Sequence, residues 1–244
     1  MKAAPDAQRL LLRVQELDTR IQQLGHAAAH LPQLARLTEL EARREELKVR
    51  MLAESGELED ARTELSRVAG DVELVEARIQ RNTTRAAESA SAKDAQALES
   101  ELASLRKRLS DLEDIELAVM ERIEDLEARA EASAAERDTL DAEIADTLRE
   151  RDAELERLGR DRDAARADRD AVVGGVPGEL LELYERQRSR YGIGAALLRG
   201  GVSLGSNVAL APSDLDQIRR AAPDDVVLDP ESGCILVRDE SSGL

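Results

Sequence analysis

Few residues of this sequence combine the type and the spacing that chemistry requires. His26 and His30 are four residues apart, so on a helix both imidazoles would lie on one face and could chelate a metal ion. No further ligand is evident beside them, which favours surface or packing histidines. The single thiol, Cys234, lies in a β-rich run without an obvious activating base, and we interpret it as a small buried strand residue.

A glycine-rich run, GGVSLGS at residues 200–206, also has a chemical precedent. It has the glycine content of a phosphate-binding loop but lacks the Gly-Lys-Ser/Thr ending that contacts nucleotide phosphates. No nucleophile with an adjacent base is evident in the sequence either. We therefore expect no enzyme activity and no cofactor.

A basic segment interrupts a chain that is otherwise acidic. The 244 residues include 35 basic and 52 acidic side chains, for a formal net charge of −17. Within residues 186–220, arginines outnumber aspartates, and two tyrosines could stack on bases. The candidate nucleic-acid contacts are Arg186, Arg188, Arg190, Arg199, Arg219, Arg220, Tyr184 and Tyr191. The alternative is that these arginines pair with nearby carboxylates and keep the segment soluble.

The composition indicates long helices rather than an ordinary globular core. Charged residues make up 36% of the chain and aromatic residues 1%, and the abundant Ala, Leu, Glu, Arg and Asp are typical of extended helical structure. The strong negative charge argues against a general nucleic-acid coat. No apolar run approaches the ~20 residues of a membrane span. Because an apolar signal core is also missing and one cysteine allows no intrachain disulfide, we expect a cytoplasmic protein.

Two long segments carry the apolar spacing of a coiled coil, alternately three and four residues. In the first, the pattern begins at Leu10, a kink is predicted near residues 31–32 at Leu31-Pro32, and the pattern resumes up to Ile79. In the second it runs from Leu98 to Leu158, with a local slip in the heptad predicted at Ile115. Residues 81–94, rich in Ser, Thr and Asn, predict a loop.

The lengths of these segments predict the topology. Arms over residues 6–80 and 95–171 would each be roughly 110 Å long at the rise of an α-helix. Two equal arms joined by a short loop favour an antiparallel coiled-coil hairpin over residues 1–173, because neither arm alone can bury its apolar stripe. A parallel dimer would bury the same stripes, but the loop signal makes it less favoured. The oligomeric state stays open.

A smaller domain is predicted to follow over residues 178–244. Its expected elements are an amphipathic helix at Leu180–Tyr184, a strand at 208–210, a helix with a Ser213/Asp216 capping box, and a β-hairpin of 226–228 with 235–237. The whole chain is thus expected to be mainly α, a long helical hairpin followed by a small α/β knob.

The discriminating features lie at the C-terminal end: LLELYERQR, a glycine-rich stretch, a short helix and VVLDPESGCILVR. After a helical hairpin, this order resembles the bacterial C4-type zinc-ribbon proteins. In that family two Cys-x-x-Cys pairs hold a tetrahedral zinc ion that fastens two β-turns together. Matching the flanking residues places Ser203, Ser206, Asp229 and Ser232 at the four ligand positions. Hydroxyls and one carboxylate are poor zinc ligands, so the resemblance implies a degenerate ribbon without a structural metal.

The resemblance also bears on function. Family members in flagellated or secreting bacteria act as chaperone-like adaptors for secretion ATPases and an alternative sigma factor, and one is credited with binding a transcript. By resemblance, this chain is expected to be a non-catalytic adaptor or scaffold for protein partners that the sequence does not identify. The alternative is RNA or DNA binding through the basic segment, which the acidic hairpin and the lost zinc site both disfavour.

Overall fold

A computed structural model describes all 244 residues. Three helices form most of the chain: α1 (Pro5–Ala29), α2 (Pro32–Glu88) and α3 (Ala92–Val173). The remaining elements are α4 (Gly178–Tyr191), β1 (Ala195–Arg199), β2 (Val202–Ser203), β3 (Val208–Ala209), α5 (Pro212–Arg220), β4 (Val227–Leu228), β5 (Ile235–Val237) and a 3-10 turn (Glu240–Ser242). None of the helices combines the length and the apolar character needed to cross a membrane.

Contacts within the chain define two units. The hairpin unit comprises residues 35–148, and the sheet unit comprises residues 1–34 together with residues 149–244. The predicted fold class is confirmed, since most of the chain is a helical hairpin and a small mixed sheet follows it.

The hairpin unit is held together by an apolar seam between α2 and α3. Buried residues recur every seven positions along each helix, as the heptad requires. On α2 they are Leu40, Leu47, Glu54, Ala61 and Val68, and on α3 they are Leu112, Val119, Leu126, Ser133 and Leu140. One part of this seam is a cluster in which Leu40 and Leu47 pack with Leu140.

Ion pairs flank the seam and connect the two arms. They include Arg36–Glu143, Arg50–Glu136, Glu57–Arg129, Arg62–Glu127 and Glu64–Arg122. From the pair at Glu57 to the pair at Glu64, seven residues forward along α2 match seven residues backward along α3, which defines an antiparallel register. Because these side chains are about half exposed, each pair adds little stability, and their pattern mainly favours this register.

The slip predicted in the heptad of α3 is wrong. Ile115 is 43% exposed, whereas Leu112 and Val119, seven residues apart, are both buried. The seam position between them is filled by Glu116, which is half-buried. The spacing of apolar residues predicted Ile115 in the seam because Ile115 is apolar and Glu116 is charged. The side of a helix that becomes covered depends, however, on the facing arm.

We expect Val119→Glu to destabilise the hairpin unit by about 2–3 kcal/mol, because it places an unpaired carboxylate in the seam. Ile115→Glu should change stability by no more than about 0.5 kcal/mol, since its side chain already contacts solvent. Urea unfolding followed by circular dichroism at 222 nm measures both. Equal losses of stability in the two variants would instead place Ile115 in the seam, as the slipped heptad requires.

The loop between the arms is shorter than the predicted 81–94. Helix α2 continues to Glu88 and α3 begins at Ala92. The polar residues that suggested a loop are accommodated on the helix, because the hydroxyls of Thr83 and Thr84 donate to the carbonyls of Ile79 and Gln80 four residues earlier.

The sheet unit is built around five strands in the order β3-β2-β1-β5-β4. β1 runs parallel to β5, and β4 pairs antiparallel with β5, which confirms the hairpin predicted for these last two strands. Along β5, Ile235 and Val237 pack in a cluster with α1 and α4, while Leu236 packs on the other face with Ile218 of α5. The sheet therefore lies between two helical layers.

The first residues of the chain form one of those layers together with α4. Leu11 and Val14 of α1 are fully buried in the same cluster as Leu180 and Tyr184 of α4. The amide of Ala3 also donates to the carbonyl of Asp224 over 2.8 Å. Helix α1 thus covers part of one face of the C-terminal sheet, although the sequence predicted it only as the start of a coiled-coil arm.

Candidate functional site

The structure brings three of the four zinc-ligand-equivalent positions into direct contact. The hydroxyls of Ser203 and Ser232 both donate to Oδ2 of Asp229, over 2.6 Å and 2.5 Å. Asp229 is only 1% exposed. The Oγ of Ser206 is also buried and forms no hydrogen bond of normal geometry, although it lies close enough to Asp229 to lower the pKa of that carboxyl. We call Ser203, Asp229, Ser232 and the neighbouring Cys234 the Asp229 cluster.

Two turns position this cluster. The first leaves β2 after Ser203 and enters β3 at Val208, and the second leaves β4 after Leu228 and enters β5 at Ile235. Gly205 lets the turns approach each other, because a Cβ on this residue would lie 2.8 Å from Sγ of Cys234. A larger residue at this position would therefore push the two turns apart.

The electrostatics of the cluster favour a carboxylate beside a neutral thiol. Burial opposes ionisation of Asp229, but the hydrogen bonds donated by Ser203, Ser232 and the Glu231 amide, with a smaller contribution from Ser206, outweigh it and lower its pKa below the ordinary 3.8. Burial, together with the charge of Asp229, raises the pKa of Cys234 above the ordinary 9.0. Near neutral pH the cluster thus carries one negative charge and an unreactive S–H group.

These residues do not fit a zinc ion. Structural zinc takes thiolate and imidazole ligands, whereas the four positions offer three hydroxyls and one carboxylate. The oxygens of Ser203 and Ser232 already lie at hydrogen-bond distance from Asp229, which leaves no room for an ion between them. Nowhere in the chain are three or more His, Cys, Asp or Glu side chains grouped to hold a metal. His26 and His30 stack on each other with ring centroids 4.0 Å apart.

Comparison with known proteins now defines the family. The model of the CT398-like coiled coil hairpin domain matches residues 14–192. The chain belongs to the CT398-like family. That match contains most of the three long helices and all of α4 but ends before the Asp229 cluster.

Relatives of this CT398-like protein match it over nearly its whole length. An uncharacterised protein of Mycobacterium tuberculosis is 34% identical over 239 residues, which are 98% of each chain. A solved structure from Mycobacterium smegmatis is 34% identical and has a TM-score of 0.84, over 98% of this chain and 100% of that one. The structure of CT398 from Chlamydia trachomatis has a TM-score of 0.67 at 16% identity, over 96% and 98% of the two chains, and shows a shared fold.

The candidate nucleic-acid contacts of this CT398-like protein do not form one free surface. Tyr184 is fully buried and donates its hydroxyl to Asp18 over 2.8 Å, so it cannot stack on a base and is removed from the set. Arg188 is committed to Asp18 and Glu185 by ion pairs of 2.8 Å and 2.9 Å.

The remaining candidates are exposed, and several have partners. Arg219 pairs with Asp216 over 3.1 Å, and Arg186 lies 3.9 Å from Glu182. The guanidinium of Arg190 lies 5.2 Å from the ring centroid of Tyr191. Arg186, Arg188 and Arg219 thus pair with nearby carboxylates, as the alternative interpretation predicts. The side chains that remain accessible are Arg190, Arg199, Arg220 and Tyr191.

Sequence reasoning missed a buried ionic group centred on Asp18. Its carboxylate accepts hydrogen bonds from Arg169 over 2.7 Å and from the Tyr184 hydroxyl, and it pairs with Arg188. Arg169 also pairs with Glu185. Burial and the bond to Asp18 raise the pKa of Tyr184 well above its usual range, so the phenol remains a donor. An aspartate beside the seam residue Leu17 gives no sequence signal of this role, because the partners lie on α3 and α4.

Arg238 is a second missed residue. It follows β5, and its guanidinium donates to the carbonyls of Ile218, Ala221, Ala222 and Asp225 over 2.7–3.1 Å. These include the carbonyls that are left without helical partners at the end of α5. The arginine of the ILVR motif therefore has a structural role, since it fastens the end of α5 to the sheet.

Proposed function

We propose that this CT398-like protein is a non-catalytic cytoplasmic adaptor whose hairpin unit binds helical segments of partner proteins. The observation that carries the proposal is a set of apolar side chains on the outer faces of the hairpin unit. Leu52 is 76% exposed, Leu74 is 68% exposed and Leu117 is 59% exposed, although the seam buries most other leucines of this unit.

The spacing of these side chains suits a partner helix. Val49 and Leu52 are three residues apart on α2, and Leu117 and Met120 are three residues apart on α3, so each pair lies on one face of its helix. An amphipathic helix binds through anchors at this spacing, and the surrounding charged residues would set its orientation. Single exposed leucines are ordinary on protein surfaces, but apolar side chains in pairs form an apolar strip that a partner helix can contact.

The buried polar groups support a non-catalytic role. Asp18 and Arg169 are engaged with each other, with Tyr184 and with Glu185. Asp229 is engaged with Ser203 and Ser232. In both groups the hydrogen bonds join elements of the fold, so these side chains are committed to structure rather than poised toward a substrate.

The test uses the tagged full-length protein as bait in cytoplasmic extract from its own bacterium. The variant Leu52→Gln/Leu74→Gln/Leu117→Gln should retain at least tenfold less of each captured protein than the wild type does. Its matched control, Glu59→Gln/Arg67→Gln/Glu124→Gln, changes exposed residues one heptad away on the same faces and should retain the wild-type amount. Circular dichroism verifies that both variants stay helical.

Nuclease treatment of the same extract tests the nucleic-acid alternative. Protein capture that survives nuclease and depends on the three leucines supports the adaptor. Capture that is lost on nuclease treatment, or that falls with Arg190→Ala/Arg199→Ala/Arg220→Ala instead of the leucine variant, contradicts it and supports the basic segment. Nucleic-acid binding would also weaken steeply with salt, whereas apolar docking would not.

A further inference from the structure

The Asp229 cluster joins two parts of the sheet unit that do not pair with each other. Its first turn connects β2 to β3 and its second connects β4 to β5, and β2 and β4 are separated in the sheet by β1 and β5. Ser203 and Asp229 are 26 residues apart in sequence. The side chains of the cluster therefore bridge the two turns where backbone pairing does not.

Both hydroxyl hydrogens of the cluster point toward one carboxylate. Ionised Asp229 only accepts, so the single hydroxyl hydrogens of Ser203 and Ser232 go to its Oδ2. The Oγ of Ser232 also lies 3.1 Å from Sγ of Cys234, and since its own hydrogen is committed, the thiol is left to donate to it. The amide of Gly205 donates to Ser203 Oγ over 3.2 Å, and that of Glu231 donates to Asp229 Oδ1 over 3.1 Å.

This arrangement is the electrostatic inverse of a zinc site. In a zinc ribbon, anionic thiolates converge on a cation, whereas here neutral donors converge on an anion. Hydrogen bonds to a charged acceptor are among the stronger ones, and a buried carboxylate that loses its donors is costly to the fold. The cluster therefore lies between the two turns, and its hydrogen bonds to a buried charge are strong enough to link them.

We propose that the Asp229 cluster is a metal-free, hydrogen-bonded cross-link between the two turns. It takes the place of the zinc ion implied by the resemblance. Its two hydrogen-bond donors are Ser203, at the end of β2 where the first turn begins, and Ser232 in the second turn, and the Asp229 carboxylate is its centre. The folded sheet unit then needs no metal. This inference rests on contacts within the sheet unit and is independent of the adaptor role, so failure of one leaves the other standing.

The serine at position 206 supplies a matched control within the same turn. Its hydroxyl is buried like that of Ser203 but forms no hydrogen bond of normal geometry, and of the donors around Asp229 it lowers the pKa of that carboxyl least. Removing it should therefore cost less than removing the hydroxyl of Ser203 or Ser232, each of which takes a well-formed donor from a buried charge. All three changes delete one oxygen from a serine, so differences in side-chain size do not confound the comparison.

The experiment is hydrogen–deuterium exchange of the full-length protein, read by mass spectrometry in peptides that cover residues 203–210 and 227–237. Ser203→Ala and Ser232→Ala should each lower the protection of both turns at least tenfold, and Asp229→Asn at least as much. Ser206→Ala should lower it several-fold less than either of these serine variants. Treatment with EDTA should leave the wild-type protection unchanged.

Several results would overturn the proposal. One is equal loss of protection in Ser206→Ala and Ser203→Ala, which would make the donor geometry irrelevant. Another is unchanged protection in both Ser203→Ala and Ser232→Ala. A third is one equivalent of zinc in purified protein together with loss of protection in EDTA. If Asp229→Asn fails to fold, the single serine variants still decide between these outcomes.

Discussion

Asp18→Ala should destabilise the sheet unit by about 3–5 kcal/mol, the usual cost of removing one member of a buried ionic group. The variant leaves Arg169, whose side chain is 17% exposed, and the Tyr184 hydroxyl without their shared acceptor. Glu185 remains beside Arg169 but is itself shared with Arg188. The cost therefore comes mainly from a largely buried guanidinium that keeps its charge and loses one of its two carboxylate partners.

Urea unfolding of the full-length protein, followed by tyrosine fluorescence, measures this loss. Tyr184 is buried in the sheet unit and Tyr191 lies at the end of α4, so both chromophores report on that unit. The control is Asp163→Ala on α3, which removes an exposed carboxylate 3.5 Å from Arg166 and should cost no more than about 1 kcal/mol. Similar losses in the two variants would show that the Asp18 group contributes no more than a surface ion pair.

Deleting residues 2–14 should unfold the sheet. The deletion removes the buried side chains of Leu11 and Val14 from one face and uncovers Ile235 and Val237 of β5. It also removes the hydrogen bonds from Gln8 Nε2 to the carbonyls of Ala3 and Pro223. Because a small domain is stable by only about 5–15 kcal/mol, losing the α1 part of one of the two layers that cover the sheet should exceed its stability.

Limited trypsin digestion provides the measurement, since Arg199, Arg219 and Arg238 lie within the sheet unit. We expect rapid cleavage there in the truncated protein and slow cleavage in the wild type. A milder variant, Leu11→Ala, should cost about 2–5 kcal/mol, while Leu155→Ala, at a leucine that is 38% exposed on α3, should cost much less. A truncated chain as resistant to trypsin as the wild type would show that α1 is dispensable for the sheet.

The hairpin could be predicted because its information is local. Leu58, Leu65 and Val72 repeat every seven residues along one segment, and any helix built from that segment has one apolar stripe. Ile115 shows where this reasoning stops. The sequence placed it in the seam because it is apolar, while the facing helix covers Glu116 instead.

The sheet unit was less predictable because its elements depend on distant partners. β1 consists of Ala, Leu and Arg, residues that favour helices, and it becomes a strand because β5 pairs with it in parallel and helices cover both faces. The predicted capping box at Ser213 is wrong for a local reason. Pro212 is the first residue of α5, so Ala211 takes the cap position and Ser213 already lies inside the helix.

By itself, the sequence determined the two heptad seams, and the resemblance added four ligand-equivalent positions at which the sequence has no thiol. Only the tertiary structure decided that Tyr184 is buried and Tyr191 exposed, that Asp18 collects Arg169 and Arg188, and that Ser203 meets Ser232 at Asp229. The physical reason is the range of the forces involved. Seams follow from the repeat of one helix, whereas the polar groups acquire their roles from residues brought beside them by packing across the chain.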